Sequence, residues 1–187
     1  MRGQGFGRSI VGAVCLFLLG GLMLPGVSQA RTGQEIDASV NAALDGFTKQ
    51  VKGASGLLQT AKGVLVFAGV IKAGIGVGGE YGEGALRIGG RTAAYYSISA
   101  ASIGLQLGAQ KKDIIVVFLQ DAPLKKFQAS EGWRVGVDGS VVLIDVGAGT
   151  SLDTSKLNQP IVGFVVGQKG LMYNLTLEGS KISKLKK

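Results

Sequence analysis

The chain has 187 residues, 46% hydrophobic and 17% charged, with 20 basic against 12 acidic side chains and a net charge of +8. That composition excludes a disordered chain, and the length suits one domain of ordinary size or one domain with a processed segment. Histidine is absent and Cys15 is the sole cysteine, which removes Ser–His–Asp and Cys–His nucleophile systems and most metal sites.

Arg2 and Arg8 precede an apolar run over residues 10–24, which Pro25 and Gly26 break. Ser28-Gln29-Ala30 then supplies small residues at the −3 and −1 positions of a cleavage site. The run is short for a hydrocarbon span of about 30 Å and contains Gly12, Gly20 and Gly21. It predicts a cleaved secretory signal over residues 1–30 and a periplasmic or secreted product. Val14 before Cys15, with most of the apolar run after it, does not fit a lipidation signal. The predicted product, residues 31–187, is one domain. It lacks cysteine, so packing alone must hold it, and it keeps a net charge of +6 after loss of Arg2 and Arg8. A positive balance favours anionic surfaces.

Thr32-Gly33-Gln34-Glu35 has capping-box spacing. Ile36, Val40, Ala43, Leu44, Phe47, Val51, Ala54 and Leu58 then recur at intervals of three and four, predicting one long amphipathic helix over about 34–60. Gly46, Gly53 and Gly56 weaken it, by up to about 1 kcal/mol each relative to Ala. From Gly63 the pattern turns to strands, at 64–72, 85–88, 96–100, 103–107, 113–119, 140–146, 161–166 and 171–178. The alternation changes phase between Ala100 and Ile103, which predicts a bulge or bend there. Residues 113–119 are apolar after Asp113, as in a strand covered on both faces. Asp121-Ala122-Pro123 predicts a short helix to about Ser130, with Asp121 as N-cap. The expected fold is mainly β (α+β): an antiparallel sandwich or partly closed barrel over about 61–187, with one long N-terminal helix and one short helix.

Several motifs invite a chemical reading. Gly74 to Gly79 matches G-x-G-x-x-G, but Glu80-Tyr81-Gly82-Glu83-Gly84 follows where a dinucleotide site needs a helix, so the run reads as structural glycine. Glu80 and Glu83 are a weak acid/base pair, expected to be solvated. With 6% aromatic residues there is no stacking platform for nucleic acid. Asn174-Leu175-Thr176 has the glycosylation pattern by chance of composition. Lys111-Lys112 and Lys125-Lys126 flank the strand at 113–119, and each lysine near an anionic bilayer contributes about 1 kcal/mol. Lys181, Lys184, Lys186 and Lys187 read as a basic tail. No catalytic residue, metal or cofactor is expected.

Three ordered segments resemble the SYLF family of lipid-binding domains, known in eukaryotes as actin and membrane regulators. The first is Ala61-Lys62-Gly63-Val64-Leu65-Val66-Phe67 with Lys72-Ala73-Gly74 and the glycine-rich run to Gly84. The second is Tyr96-Ser97-Ile98-Ser99 with Ser102-Ile103-Gly104-Leu105-Gln106-Leu107-Gly108-Ala109-Gln110. The third is Gly170-Leu171-Met172-Tyr173 with Leu177-Glu178-Gly179. The chain departs from the family at Ala68, where proline is frequent, at Tyr95 and Tyr96, where tryptophan is frequent, and at 166–171, which lacks the family's arginine. The resemblance implies a lipid- or membrane-associated module; with the signal segment and the absence of histidine, the expectation is a bacterial, secreted, non-enzymatic protein whose partners are lipids or a membrane surface. The resemblance also implies tentative lipid contacts at Lys49, Lys52 and Lys62, beside an apolar helix face. Actin regulation is not carried over, and a protein partner stays open. The rival expectation is a structural β protein associated with an outer membrane.

Overall fold

Thr32 opens the described structure's first helix. In a computed structural model that describes residues 30–145, 158–170 and 177–187, its hydroxyl accepts the Glu35 N–H at 3.2 Å. Glu35 in turn accepts the Thr32 N–H at 2.7 Å. This is the reciprocal capping box that the spacing predicts. It starts α1, Gly33–Gln50, which buries Ile36, Val40, Ala43 and Phe47. The expected continuous helix over 34–60 is two helices. Gly53 adopts φ +91°, and α2, Ala54–Thr60, follows. Only glycine enters that left-handed region at little cost. The break leaves the apolar stripe intact, since Val51, Ala54 and Leu57 are buried.

Two long strands replace the five short ones expected between residues 64 and 119. β1, Gly63–Ile88, and β2, Arg91–Phe118, pair antiparallel along almost their whole length. Gly89 and Gly90, at φ +56° and +78°, make the two-residue turn between them. There follow α3 (Asp121–Ala129), β3 (Gly132–Arg134), β4 (Val142–Asp145), β5 (Ile161–Gly170) and β6 (Lys181–Leu185). Gln120, not Asp121, is the N-cap of α3, and it gives no side-chain cap bond. The lysine-rich end is a strand rather than a frayed tail. β6 pairs with β2 at 95–99 and with β3. The predicted signal segment, Asn174 and most of the strand expected at 171–178 lie outside the described residues.

All six strands join one sheet in the order β3-β6-β2-β5-β4, with β1 on β2, and only β4 and β5 run parallel among the described strands. The sheet is curled into an open half-barrel, nearer the partly closed barrel than the sandwich. Glycines permit the curl where the two halves of β1 meet. A Cβ on Gly84 would lie 1.9 Å from the Val66 carbonyl oxygen, and one on Gly74 would lie 2.3 Å from Gly78 Cα. The bulge expected between Ala100 and Ile103 lies further along, and the expected change of phase does not occur. Pairing is regular from Glu80 and Ala100 to Val77 and Ile103, then shifts before Ile75 and Leu107. Residues 104–106 therefore face the single residue 76. An offset of three against one is even, so facing is preserved: Tyr96 and Ile98 before it, and Gln110, Lys112 and Ile114 after it, are all buried even positions.

Two cores lie on the two faces of this sheet. Ile115, Val117, Val162 and Phe164 pack under α1 and α2. Ile114, Val116 and Phe118 face the inside of the curl with Tyr96, Phe127 and Trp133. The strand expected to be covered on both faces is so covered, because its odd positions meet helices and its even ones meet the opposite wall.

Candidate functional site

The apolar face of α1 is the first place to look for a lipid contact, and it is occupied by the sheet. Phe47 stacks at 5.0 Å on Phe164. On the flank of the helix, Asp37 accepts from Thr92 Oγ1 at 2.7 Å and Tyr95 Oη at 2.9 Å, and pairs with Arg87 at 3.2 Å. That hydrogen bond, with smaller help from burial, raises the Tyr95 phenol above its ordinary value. The three lysines expected near this face are solvent-facing. Lys49 pairs with Asp45 at 2.6 Å, a surface i,i+4 pair. Lys52 lies in the link between α1 and α2, and Lys62 precedes β1, its N–H bonded to the Phe118 carbonyl at 2.8 Å.

Glu80 and Glu83 are buried, not solvated. Three apart on a strand, they face opposite sides of the sheet. Glu80 lies inside the curl, 3.0 Å from Lys112 Nζ. Lys72 and Gln110, opposite one another on β1 and β2, are buried there too. Neither amide atom of Gln110 has a hydrogen-bond partner among the described residues. Glu83 instead accepts from Tyr81 Oη at 3.0 Å and lies 3.6 Å from Lys187 Nζ. The Tyr81 phenol is raised, by burial first and by Glu83 second. Each carboxylate is thus held by its own partner, and the two do not form an acid/base pair.

The far part of the β1–β2 ribbon inverts the usual pattern. Lys72, Glu80 and Lys112 point in, while a row of apolar side chains points out. Ile71, Ile75, Val77 and Tyr81 are 56%, 80%, 68% and 53% exposed, four of the five large apolar residues that are exposed among the described residues. They occupy odd positions of one strand, so they form a strip on one face. Among the described residues no helix or strand covers it.

Where α1 stops covering this face, the sheet carries two bulges around Asp113. β1 is irregular between Phe67 and Val70, with Gly69 at φ +70°. β5 is irregular where β2 passes from Lys111 to Asp113, with Gly167 at φ +64°. Asp113 Oδ1 accepts the Gly69 N–H at 2.7 Å, satisfying the donor that the bulge removes from the ladder. A cleft of about 620 Å³ opens here, lined by Arg31, Ser39 and Gln50 on one side and Lys111, Asp113 and Lys169 on the other. The two neighbouring lysines thus part company: Lys112 is buried with Glu80, while Lys111 is exposed at the cleft. Sequence reasoning treated Lys111 and Lys112 as one end of a strand and missed Lys169. The alternation rule alone separates the first two, but only pairing across β2 and β5 brings in the third. A smaller cavity of about 290 Å³ lies beside Asn41, Leu58, Arg87 and Gly89. None of Lys49, Lys52 and Lys62 lines either space. Among the described residues no group of histidine, cysteine or acidic side chains has the arrangement of a metal site, and no helix is long and apolar enough to cross a membrane.

Residues 99–187 match the family model Ysc84, described as Las17-binding protein actin regulator. The match contains the third of the segments on which the SYLF resemblance rests and all of the second but Tyr96, Ser97 and Ile98, and agrees with it. No curated protein matches the chain.

Proposed function

We propose that this protein is a non-enzymatic, peripheral lipid-binding module that works outside the cytoplasm after cleavage at Ala30, and that the outward apolar strip of the β1–β2 ribbon is its contact with the bilayer. The family match and the lipid association that the SYLF resemblance implies support the class. The single observation that carries the location is the exposure of Ile71, Ile75, Val77 and Tyr81 on one face. Large apolar patches left in water mark interaction surfaces. A bilayer suits this one because Lys111 stands directly across from Ile71, and Lys169 stands beyond it on β5. Apolar residues would enter the acyl boundary while the cations meet anionic head groups. Since α1's apolar face is packed, no opening of the helix is needed. Lys49, Lys52 and Lys62 stay in the proposal as solvent-facing charge that strengthens attraction to the surface.

The same inverted pattern favours a second reading, a structural β protein of an outer membrane, since membrane barrels are apolar outside and polar inside. Among the described residues the open half-barrel leaves unpaired edges, which hydrocarbon does not tolerate, so the peripheral reading is preferred. The matched family's description names a protein partner and actin regulation, and only lipid association is taken over here.

The test is co-sedimentation of the purified protein with anionic and zwitterionic vesicles at low and high salt. Wild type is expected to sediment with anionic vesicles, and Ile75→Asp/Val77→Asp to lose most of that binding while keeping its thermal midpoint, because both side chains are exposed. No sedimentation of wild type with either vesicle, or full binding by the double variant, overturns the proposal. Extraction from membranes by detergent alone, and not by salt or carbonate, would favour the second reading.

A further inference from the structure

We infer that the cleft between α1 and the paired bulges binds a phosphate group. This rests on the lipid reading for its setting, and names the head-group chemistry that the apolar strip does not. Arg31, Lys111, Lys112 and Lys169 line the cleft against one carboxylate, Asp113. The Lys112 side chain is buried and paired with Glu80, which leaves three cations, Arg31, Lys111 and Lys169, for a ligand. The carboxylate is already engaged by the Gly69 N–H at 2.7 Å. Lys111 and Lys169 form no ion pair among the described residues. The cleft therefore carries an uncompensated positive charge, in a space of the size that holds small ligands.

The cations are also placed. The Lys111 stem crosses Gly69 so closely that a Cβ there would lie 2.9 Å from Lys111 Cε and 3.6 Å from Nζ. Any side chain at 69 would displace it, and φ +70° disfavours one independently. Arg31 is tied to α1, its Nη2 donating to the Glu35 carbonyl at 3.0 Å and to Ser39 Oγ. A guanidinium has five N–H donors in a fixed fork, so others remain for the paired oxygens of a phosphate. Lys111 and Lys169 lie opposite each other across β2 and β5, hence on one face.

Position ties the cleft to the strip. Ile71, Lys111 and Lys169 form one row across three strands. Ile75 lies about 13 Å further along β1 at the usual rise of a strand. A phosphate held at the row would sit at head-group level, with the ribbon beyond it reaching the acyl boundary, which amphipathic elements enter by about 5–10 Å. The ligand chemistry is a phosphate mono- or diester, and its source is either a phospholipid or a soluble phosphate.

The experiment compares wild type, Lys111→Glu/Lys169→Glu and a control of equal charge change, Lys125→Glu/Lys184→Glu. All four lysines are exposed, so each variant is expected to fold, which circular dichroism checks. Binding is titrated with vesicles of phosphatidylcholine alone, with vesicles containing phosphatidylglycerol or phosphatidic acid, and with inorganic phosphate and glycerol phosphate followed by amide shifts. The expected result is a loss of about tenfold in affinity for the anionic vesicles in Lys111→Glu/Lys169→Glu, less than threefold in the control, and unchanged weak binding to phosphatidylcholine. Equal losses in both variants would mean that net charge, not the cleft, is responsible, and would overturn the inference. Shifts of the Gly69 and Gly167 amides with soluble phosphate identify a free phosphate as a ligand. Their absence beside cleft-dependent vesicle binding identifies the phospholipid. If wild type binds no vesicle, the membrane reading fails, and the soluble titration decides the cleft alone: shifts at those amides uphold it, and none overturns it.

Discussion

Thr32 and Glu35 illustrate how much one local motif settles. Hydrogen bonds from Thr32, the backbone N–H first, hold the Glu35 carboxyl below its ordinary value of 4.5. A lowered folded value means that the carboxylate's share of the capping box is fully present above the unfolded value and is lost as pH falls through the folded one, while the Glu35 N–H bond to Thr32 stays. Thr32→Ala should cost about 1 kcal/mol near neutral pH, with less loss at about pH 3. Thermal midpoints of both proteins across that range check it, and equal losses at both ends would contradict it. The Lys112–Glu80 pair is a second residue-scale case with the opposite character, since both groups are buried and neither is fully hydrogen-bonded. Lys112→Met leaves a buried carboxylate without its cation and should cost about 3–5 kcal/mol, while Glu80→Leu/Lys112→Met should recover most of that. Urea unfolding of both variants decides it. A single variant as stable as wild type would show that the pair is not held as described.

At the scale of elements, the long ribbon is what the reading of short strands could not supply. Local alternation identifies strand character at 64–72 and 96–100, but glycines at 74, 76, 78, 82 and 84 look like breaks. They are strand residues of a chain that doubles back on itself. Their lack of a side chain matters for a distant contact, the approach of Gly84 to Val66 and of Gly82 to Val70. Gly84→Ala should therefore destabilise by about 3 kcal/mol, as overpacking against backbone does, whereas Gly56→Ala in α2, where a Cβ meets nothing within 4 Å, should be neutral or stabilising. Equal effects at the two positions, measured by thermal unfolding, would refute the account of the curl. The helix break at Gly53 has the same origin. Periodicity of apolar residues continues through 51–57, so the sequence pattern reads as one helix, and only the left-handed turn reveals two.

For the whole molecule, the arrangement separates a packed root from an exposed strip. The root of the ribbon is clamped, with α1 on one face and α3 and Trp133 on the other. The middle of the ribbon holds Lys72 and Glu80 inward and an apolar strip outward, and among the described residues that strip stays in water, so packing does not account for it. The lipid contact proposed above would lie on this strand pair, with the positive cleft beside it, where helix cover ends. The separation predicts that loss of membrane binding through Ile75 and Val77 and loss of stability through Phe47 are independent. Phe47→Ala should cost about 3–5 kcal/mol yet bind vesicles normally while folded, which sedimentation well below its melting point would show.

From residues alone came the capping box, the β-rich class, the strand buried on both faces and the basic charge that points to anionic partners. These follow from hydrogen-bonding and burial demands that act within a few residues. The strand at 181–185 was hidden because its lysines look like a tail until β2 offers it an edge. Lys49, Lys52 and Lys62 are legible as a basic set near a helix, yet a sequence cannot show that the sheet already covers that helix's apolar face. The cleft of Arg31, Lys111 and Lys169 joins positions far apart in the chain. Pairing register and two left-handed glycines bring them together, and those are properties of the folded sheet rather than of any segment within it.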